Sequence, residues 1–277
     1  MLQYQTFNRS CAYAGLANLL LDYGITIEDR DIVTEALISY HLRYNTDDKR
    51  YIAGPFLQGK EWFDLYLNKV GYEFFERKLS KVDLVSTLAD TTTKYMLAIK
   101  YGNAGKHAVV FLRKEANKFV FLNNKNSSST ESEHFFFSED ELKEKLEDKT
   151  LIGKIIPKRA IIEKDVQILF NETIKTIDKY RKTIEYEVVE KRTEEEQKAA
   201  KKNTLEVFFL DILSMMEIVK QDGLALKIKK LRTIYLEALK SHRQMSLSEY
   251  MDIKEFETII DEYLGIVVNK RDNLRKI

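Results

Sequence analysis

Residues 107 to 123 read His107-Ala-Val-Val-Phe-Leu-Arg113, then Lys-Glu-Ala-Asn-Lys, then Phe119-Val-Phe-Leu-Asn123. Two apolar runs rich in Val and Phe favour strands, and the polar segment between them predicts a β-hairpin with residues 114–118 as its loop. Similar β-rich runs occupy residues 72–79, 95–101 and 151–156. Together these runs predict an antiparallel sheet in the first part of the chain.

Helical patterns precede this sheet and alternate with its later strands. Residues 12–23 carry apolar side chains at helical spacing and end at Gly24, a residue that favours the left-handed conformation found after helices. Helices that come first and an antiparallel sheet that follows define an α+β fold. The other helix signals, each a capping pair or a run ended by glycine, are Thr26 with Asp29, residues 58–70 before Gly71, Ser80 with Asp83, and Ser138 with Glu141.

Turn-forming residues divide the chain into two parts. Eight of the ten glycines and both prolines precede residue 158. The remainder carries amphipathic helical patterns over residues 161–202, 204–221, 224–242 and 248–268, which predict a bundle with short connections. We therefore expect a domain boundary near Pro157, with residues 1–157 forming an α+β domain and residues 158–277 an all-α helical bundle.

Composition excludes several classes of protein. Forty-five Lys and Arg against 44 Asp and Glu leave a net charge of +1, so no overall field attracts nucleic acid. One cysteine excludes an internal disulfide, and with four scattered histidines it predicts neither a metal site nor a cofactor. The first residues lack the apolar region of a signal peptide, and no long apolar run predicts membrane insertion. A reducing, cytoplasmic location fits best.

The only cysteine, Cys11, stands where a helix is predicted to begin. Free N–H groups and the helix dipole favour a thiolate there, although a lone cysteine is also a common core residue. A thiol nucleophile needs an imidazole, and His107, at a loop-to-strand edge, is the best placed. His41 and His242 end predicted helices, and His134 falls in a polar, Ser-rich loop.

The imidazole in turn needs a hydrogen-bond acceptor that fixes its tautomer. Asn123 and Asn124 end the partner strand of the hairpin and are expected to face His107 across the ladder. Gln5 precedes Cys11 by six residues, and its amide is suited to donate to a developing oxyanion together with the Cys11 backbone N–H.

Taken together, these residues resemble the papain-like cysteine peptidases. More narrowly, residues 5–24, 107–112 and 119–123 resemble the bacteriocin-processing family, whose members cleave leader peptides after a double glycine. The resemblance covers residues 1–157 and implies the following roles: Cys11 as nucleophile, His107 as general base and acid, Asn123 as the residue that orients His107, and Gln5 as oxyanion donor. That family usually has Gly after the cysteine and Asp as the orienting residue, where this chain has Ala12 and Asn123.

The resemblance implies a cysteine peptidase-like hydrolase that acts on a peptide through an acyl-cysteine intermediate, with peptide maturation as a role. Two alternatives remain open. One is an acyltransferase of the butirosin-biosynthesis type, which uses a similar Cys/His pair on an acyl-carrying substrate. The other is a catalytically idle papain-like binding module. The helical part is expected to bind a partner protein or to dimerise.

Overall fold

The computed structural model describes residues 2–7, 9–46, 50–102, 105–158, 166–189, 203–240 and 252–275. The chain forms two compact units, one of Met1–Ala36 with Gln58–Glu163 and one of Leu37–Leu57 with Lys164–Ile277. The later crossing between units falls close to the boundary expected at Pro157. Residues 37–57, however, were expected in the first domain and cluster with the second unit, because Leu42, Tyr51 and Ala53 are buried in its core.

The elements follow one another as helix and strand throughout the first part and as helices afterwards. In chain order they are α1 (Cys11–Leu20), α2 (Asp29–Glu35), β1 (Leu42–Asn45), β2 (Arg50–Ala53), α3 (Lys60–Leu67), β3 (Tyr72–Ser80), α4 (Lys81–Ala89), β4 (Tyr95–Tyr101), β5 (Gly105–Glu115), β6 (Lys118–Asn123), β7 (His134–Phe137), α5 (Glu139–Lys145), β8 (Lys149–Pro157), α6 (Val166–Val189), α7 (Leu213–Ile218), α8 (Asp222–Lys240) and α9 (Ile253–Leu274). A π-helical stretch, Asn203–Ile212, leads into α7. The predicted class is confirmed: α+β, with an antiparallel sheet and a helical C-terminal part.

A six-stranded antiparallel sheet forms the centre of the first unit. Its strand order is β3-β8-β4-β5-β6-β7. Apolar side chains of α4 and α5, among them Leu88 and Leu142, share a core with Phe111 and Phe121 on one face. Helix α1 packs against β4 and β5, where Gly15 meets side chains that point away from that core. The sheet therefore holds the start of α1 against its middle strands.

The β5–β6 hairpin is longer and tighter than the sequence indicates. Both strands extend beyond their apolar runs, so the connection is a two-residue turn at Ala116 and Asn117 and not the five-residue loop 114–118. Ala116 adopts a left-handed backbone with φ of 49°, as such a tight hairpin turn requires. Strand β7 also falls in a segment predicted as a loop, and His134 there pairs with Leu122.

Most predicted helix ends are confirmed. Ser138 and Glu141 form a reciprocal capping box at α5, and the Asp83 backbone N–H donates to the Ser80 hydroxyl at 3.2 Å. Gly24 follows its helical segment with φ of 74°. The pairing of Thr26 with Asp29 is wrong, because α2 starts without a side-chain cap and its Asp29 carboxylate bonds elsewhere.

The second unit is built of helices around an apolar core, with one small hairpin. Strands β1 and β2 pair antiparallel, and the core includes Phe208, Phe209 and Ile212 from the segment predicted as helix over residues 204–221. Met215 and Met216 are fully buried in the same core. The start of the helix predicted over residues 248–268 lies outside the described residues, and α9 begins at Ile253 after a cap made by Asp252. Within the described ranges no helix is long and apolar enough to cross a bilayer.

Candidate active site

Helix α1 begins at Cys11, as predicted. The residue before it, Ser10, is the N-cap, but its hydroxyl donates to the Asp29 carboxylate instead of capping the helix. Arg9 precedes it in a left-handed backbone conformation with φ of 65°, which is uncommon for a side chain of this type. The thiol is half-buried. The left-handed Arg9 and the hydrogen bond from Ser10 to the buried Asp29 carboxylate therefore position the segment that ends at Cys11, the first residue of α1.

The thiol lies beside β5 at the place where β6 ends. Ala108 pairs with Ala98 of β4, but on its other side strand β6 ends at Asn123, opposite Val109, and side chains contact the Ala108 backbone there. The Asn124 amide donates to the Ala108 carbonyl at 3.0 Å, while a backbone hydrogen bond links Ala108 to the Cys11 thiol. Cys11 is therefore held one residue along the strand from His107.

His107 is held by Asn123. The imidazole Nε2 and the Asn123 Oδ1 are 2.8 Å apart, and Asn123 is buried at the diagonal position across the β5–β6 ladder. The Asn123 amide nitrogen donates to the Ser132 carbonyl at 2.9 Å. Its oxygen must therefore face His107 and accept, which places the imidazole proton on Nε2 and leaves the lone pair on Nδ1. Asn123, and not Asn124, is the residue that bonds the imidazole.

Burial acts on both reactive groups. It raises the pKa of the Cys11 thiol, and the backbone hydrogen bonds from Ala108, Ala12 and Cys11 itself only partly oppose it. Burial also lowers the pKa of His107, which the Asn123 hydrogen bond and the Glu131 charge raise in part. Both shifts favour a neutral thiol beside a neutral imidazole at neutral pH. The net direction for the Cys11 pKa is opposite to the one expected from the helix N-terminus, because desolvation outweighs the backbone N–H groups.

No hydrogen bond joins the Cys11 and His107 side chains among the described residues. Catalytic hydrogen bonds are often long without substrate and shorten when it binds. The neutral imidazole, with its Nδ1 lone pair available, has the protonation state of a general base.

Gln5 is fixed at the same edge of the sheet. Its side-chain amide donates to the Asn124 carbonyl, and its backbone N–H donates to the Lys125 carbonyl at 2.9 Å. An amide nitrogen carries two N–H groups, so the bond to Asn124 orients the side chain and uses one of them. The chain segment before Cys11 is thereby joined to the strand end that holds His107.

Asn124 connects α1 to the sheet. It is fully buried, and its Oδ1 accepts from the Asn18 amide at 3.3 Å. A Cβ on Gly15 would come within 2.6 Å of the Asn124 Nδ2 and 2.7 Å of the Met96 Sδ. Gly15 therefore permits the close approach of helix and sheet that brings Cys11 to β5.

Three residues near the site are not identified as candidates by the sequence analysis. Asp29 resembled a helix cap, Tyr101 a strand end, and Glu131 one polar residue in a Ser-rich loop. No local pattern signals their contacts, which join residues far apart in the chain: Thr6 with Asp29, and Glu131 with both Tyr101 and Asn123. Among the described residues, no three His, Cys, Asp or Glu side chains cluster as metal ligands.

The solved structures that this chain resembles include a peptidase domain and an avirulence protein. No family model and no curated protein matches the sequence. The peptidase domain of Streptococcus ComA, a bi-functional ABC transporter involved in a quorum-sensing pathway, is 15% identical with a TM-score of 0.40, over 57% of this chain and 98% of that domain. The Pseudomonas avirulence protein AvrPphB is 12% identical with a TM-score of 0.28, over 55% of this chain and 93% of that one. Both scores are low, so the chemistry below is inferred from this chain's own side chains.

Proposed function

We propose that the first unit is a cysteine peptidase-like hydrolase, in which Cys11 and His107 act on a peptide carbonyl. The hydrogen bond between His107 Nε2 and Asn123 Oδ1 carries the proposal. It fixes the tautomer in which Nδ1 can accept a proton, and it does so beside a half-buried thiol at a helix start. The thiol is hydrogen-bonded to the backbone of Ala108, the residue next to His107, which supports a joint role for the two side chains.

The first step forms an acyl-cysteine. The Cys11 Sγ bonds to the carbonyl carbon of the substrate while its proton passes to His107 Nδ1. The Cys11 backbone N–H, which has no intrahelical partner at the helix start, stabilises the oxyanion together with the Gln5 amide. The bond to the leaving amine then breaks, and Nδ1 returns the proton to that amine.

The second step regenerates the thiol. Water adds to the acyl-cysteine carbonyl and gives a proton to His107 Nδ1, the carbon–sulfur bond breaks, and the proton returns to sulfur. An amine in place of water would make the same intermediate the donor in acyl transfer. Asn123 keeps the imidazole plane and tautomer fixed through both steps. Since a free thiol is needed, we also infer a reducing compartment.

An acyl donor that requires no peptide specificity tests this proposal. We expect p-nitrophenyl acetate to acylate Cys11, with a mass increase that peptide mapping places on that residue. Cys11→Ser should lose the adduct and the burst of nitrophenol, whereas an idle binding module would show neither in the wild-type protein. Adding a primary amine then separates hydrolysis from transfer, because only transfer yields the amide.

A further inference from the structure

Tyr101 and Glu131 contact the His107–Asn123 pair. Ile99 pairs with His107 in the β4–β5 ladder, so Tyr101, two residues further on, lies diagonally across from His107 on the same face. Their ring centroids are 5.0 Å apart and the planes are inclined by 37°. One side of the imidazole is therefore covered by the Tyr101 ring.

The Tyr101 hydroxyl reaches past the imidazole to Glu131. It donates to Glu131 Oε1, and the Asn123 amide nitrogen lies 3.4 Å from Glu131 Oε2. Contacts thus run in a closed circuit through four residues, from the His107 ring to Asn123, Glu131, Tyr101 and back to the ring. The imidazole's hydrogen bond is made by Asn123, whereas Tyr101 contacts the ring and Glu131 contacts Asn123.

The segment that carries Glu131 is folded back on its own backbone. The Lys125 ammonium donates to the carbonyls of Ser129 and Glu131, and the Asn123 backbone N–H donates to the Glu133 carbonyl at 2.8 Å. Glu131 itself is exposed. An exposed carboxylate ordinarily gains little free energy from holding one conformation. The Tyr101 hydroxyl and the Asn123 amide are therefore the groups that fix the Glu131 carboxylate.

We propose that Glu131 and Tyr101 are positioning residues that hold the Asn123 amide and the plane of His107 for the reaction of Cys11. The carboxylate orients the Asn123 nitrogen, the phenol anchors the carboxylate, and the phenol ring limits rotation of the imidazole. This inference rests on the proposed function for its catalytic meaning. The contact circuit is a property of the folded chain and can be tested separately.

Charge supplies a second effect of the same pair. The ionisable groups around His107 among the described residues are the Cys11 thiol at the start of α1, the Tyr101 phenol on β4, and Glu131, with the Lys125 ammonium behind Glu131. Glu131 raises the pKa of His107 against the lowering effect of burial. The Tyr101 hydroxyl is the largest cause that keeps the pKa of Glu131 below its usual value, so the carboxylate remains charged. Removing that charge should therefore lower the titration midpoint of His107.

Glu131→Gln and Tyr101→Phe test the proposal, and the chain offers a matched control. Tyr4 donates to Glu133 at 2.6 Å in the same segment, and this second Tyr–Glu pair has no side-chain bond to Asn123 or His107. The titration midpoint of His107, followed by NMR of its ring proton and assigned with His107→Gln, shows whether Glu131 and Tyr101 act on the imidazole. This measurement does not require the protein to be an enzyme. The rate of Cys11 acylation by p-nitrophenyl acetate, followed against pH, reports its effect on chemistry.

We expect Glu131→Gln to lower the His107 midpoint and to slow acylation by roughly tenfold, the size expected for one lost hydrogen bond to a charged group. Tyr101→Phe should shift both in the same direction by less, since its ring remains. Tyr4→Phe and Glu133→Gln should change neither. An unaltered His107 midpoint in Glu131→Gln and Tyr101→Phe, both folded by circular dichroism, would overturn the proposal. If the wild-type protein is not acylated at all, the proposed function fails, and the titration still decides the circuit.

Discussion

The two units differ in what they bury. In the second unit the core is largely aromatic and aliphatic, with Phe208, Phe209 and Tyr263 among its fully buried side chains, and its buried polar residues include Ser39, His41, Thr173 and Asp211. In the first, a group of buried polar residues gathers around the start of α1 and the end of β6, namely Ser10, Asn18, Asp29, Asn123 and Asn124. Burying a polar group costs free energy unless it is hydrogen-bonded, and each of these has partners within the group or on the nearby backbone. The comparison singles out a group of hydrogen-bonded, buried polar side chains beside the start of α1 in the first unit.

The largest expected effect comes from removing the buried carboxylate of the first unit. Asp29 accepts from the Thr6 backbone at 2.9 Å, from the Thr6 hydroxyl at 2.6 Å and from Ser10. Asp29→Ala leaves these donors unpaired, and we expect a loss of about 3 kcal/mol in the free energy of unfolding. Chemical denaturation measures it, with the exposed Asp31→Ala on the same helix as control. Equal free energies of unfolding for the two variants would contradict a stabilising role for the buried Asp29 carboxylate.

A smaller loss is expected where α1 meets the sheet. Gly15→Ala forces its new methyl group against Asn124 and Met96, both within 2.7 Å of the position the Cβ would take. Overpacking of this kind costs about 1–3 kcal/mol. Because Asn124 is displaced, acylation of Cys11 should also slow. A variant with unchanged stability and unchanged acylation would show that helix and sheet approach less closely than described.

The same substitution in the second unit should have the opposite sign. Gly265 lies inside α9, and a Cβ there would meet nothing within 4 Å. Gly265→Ala should raise the free energy of unfolding by roughly 0.5–1 kcal/mol, because alanine loses less backbone entropy in a helix. Thermal melts of Gly15→Ala and Gly265→Ala, measured side by side, distinguish a glycine packed against the sheet from one with free space around its Cα. Destabilisation by Gly265→Ala would remove that contrast.

The smallest effect is the pH dependence that His107 gives to stability. Its folded pKa is below the unfolded value, so the unfolded chain binds the proton more readily. The stabilising contribution is complete above the unfolded pKa of about 6.5 and is lost as the pH falls towards and through the lower folded pKa. Between pH of about 7.5 and 5 the wild-type protein should lose more stability than His107→Gln. An equal loss in both proteins would contradict the depressed pKa.

Much of the fold follows from local signals. The hydrophobic runs and the capping pair at Ser138 predict strands and helices that the structure confirms, because period and end chemistry act over a few residues. Strands β1, β2 and β7 are not predicted, because each is only four residues long and owes its conformation to its partner strand. The transfer of residues 37–57 to the second unit depends on burial of Tyr51 against helices far along the chain.

The candidate site divides in the same way. Cys11 at a helix start is a local property, as is His107 near the start of β5, which begins two residues earlier at Gly105 than the apolar run indicates. The alignment of His107 with Asn123 follows once the hairpin is predicted. The choice between Asn123 and Asn124 required the register, which places one side chain on the His107 face and the other towards α1. Asp29, Tyr101 and Glu131 depend on contacts between distant segments, which no spacing rule encodes. The direction of the Cys11 pKa shift also depends on burial, which the helix position alone does not give.

The central claim is that Cys11 and His107 act together on a carbonyl. The most direct test is the rate of Cys11 acylation by p-nitrophenyl acetate at neutral pH in three proteins: wild type, His107→Ala, and His134→Ala as a control from β7, the edge strand of the same sheet. We expect His107→Ala to be slower by at least about 100-fold, the usual contribution of a general base, and His134→Ala to match the wild type. Equal acylation rates in wild type and His107→Ala would contradict the account.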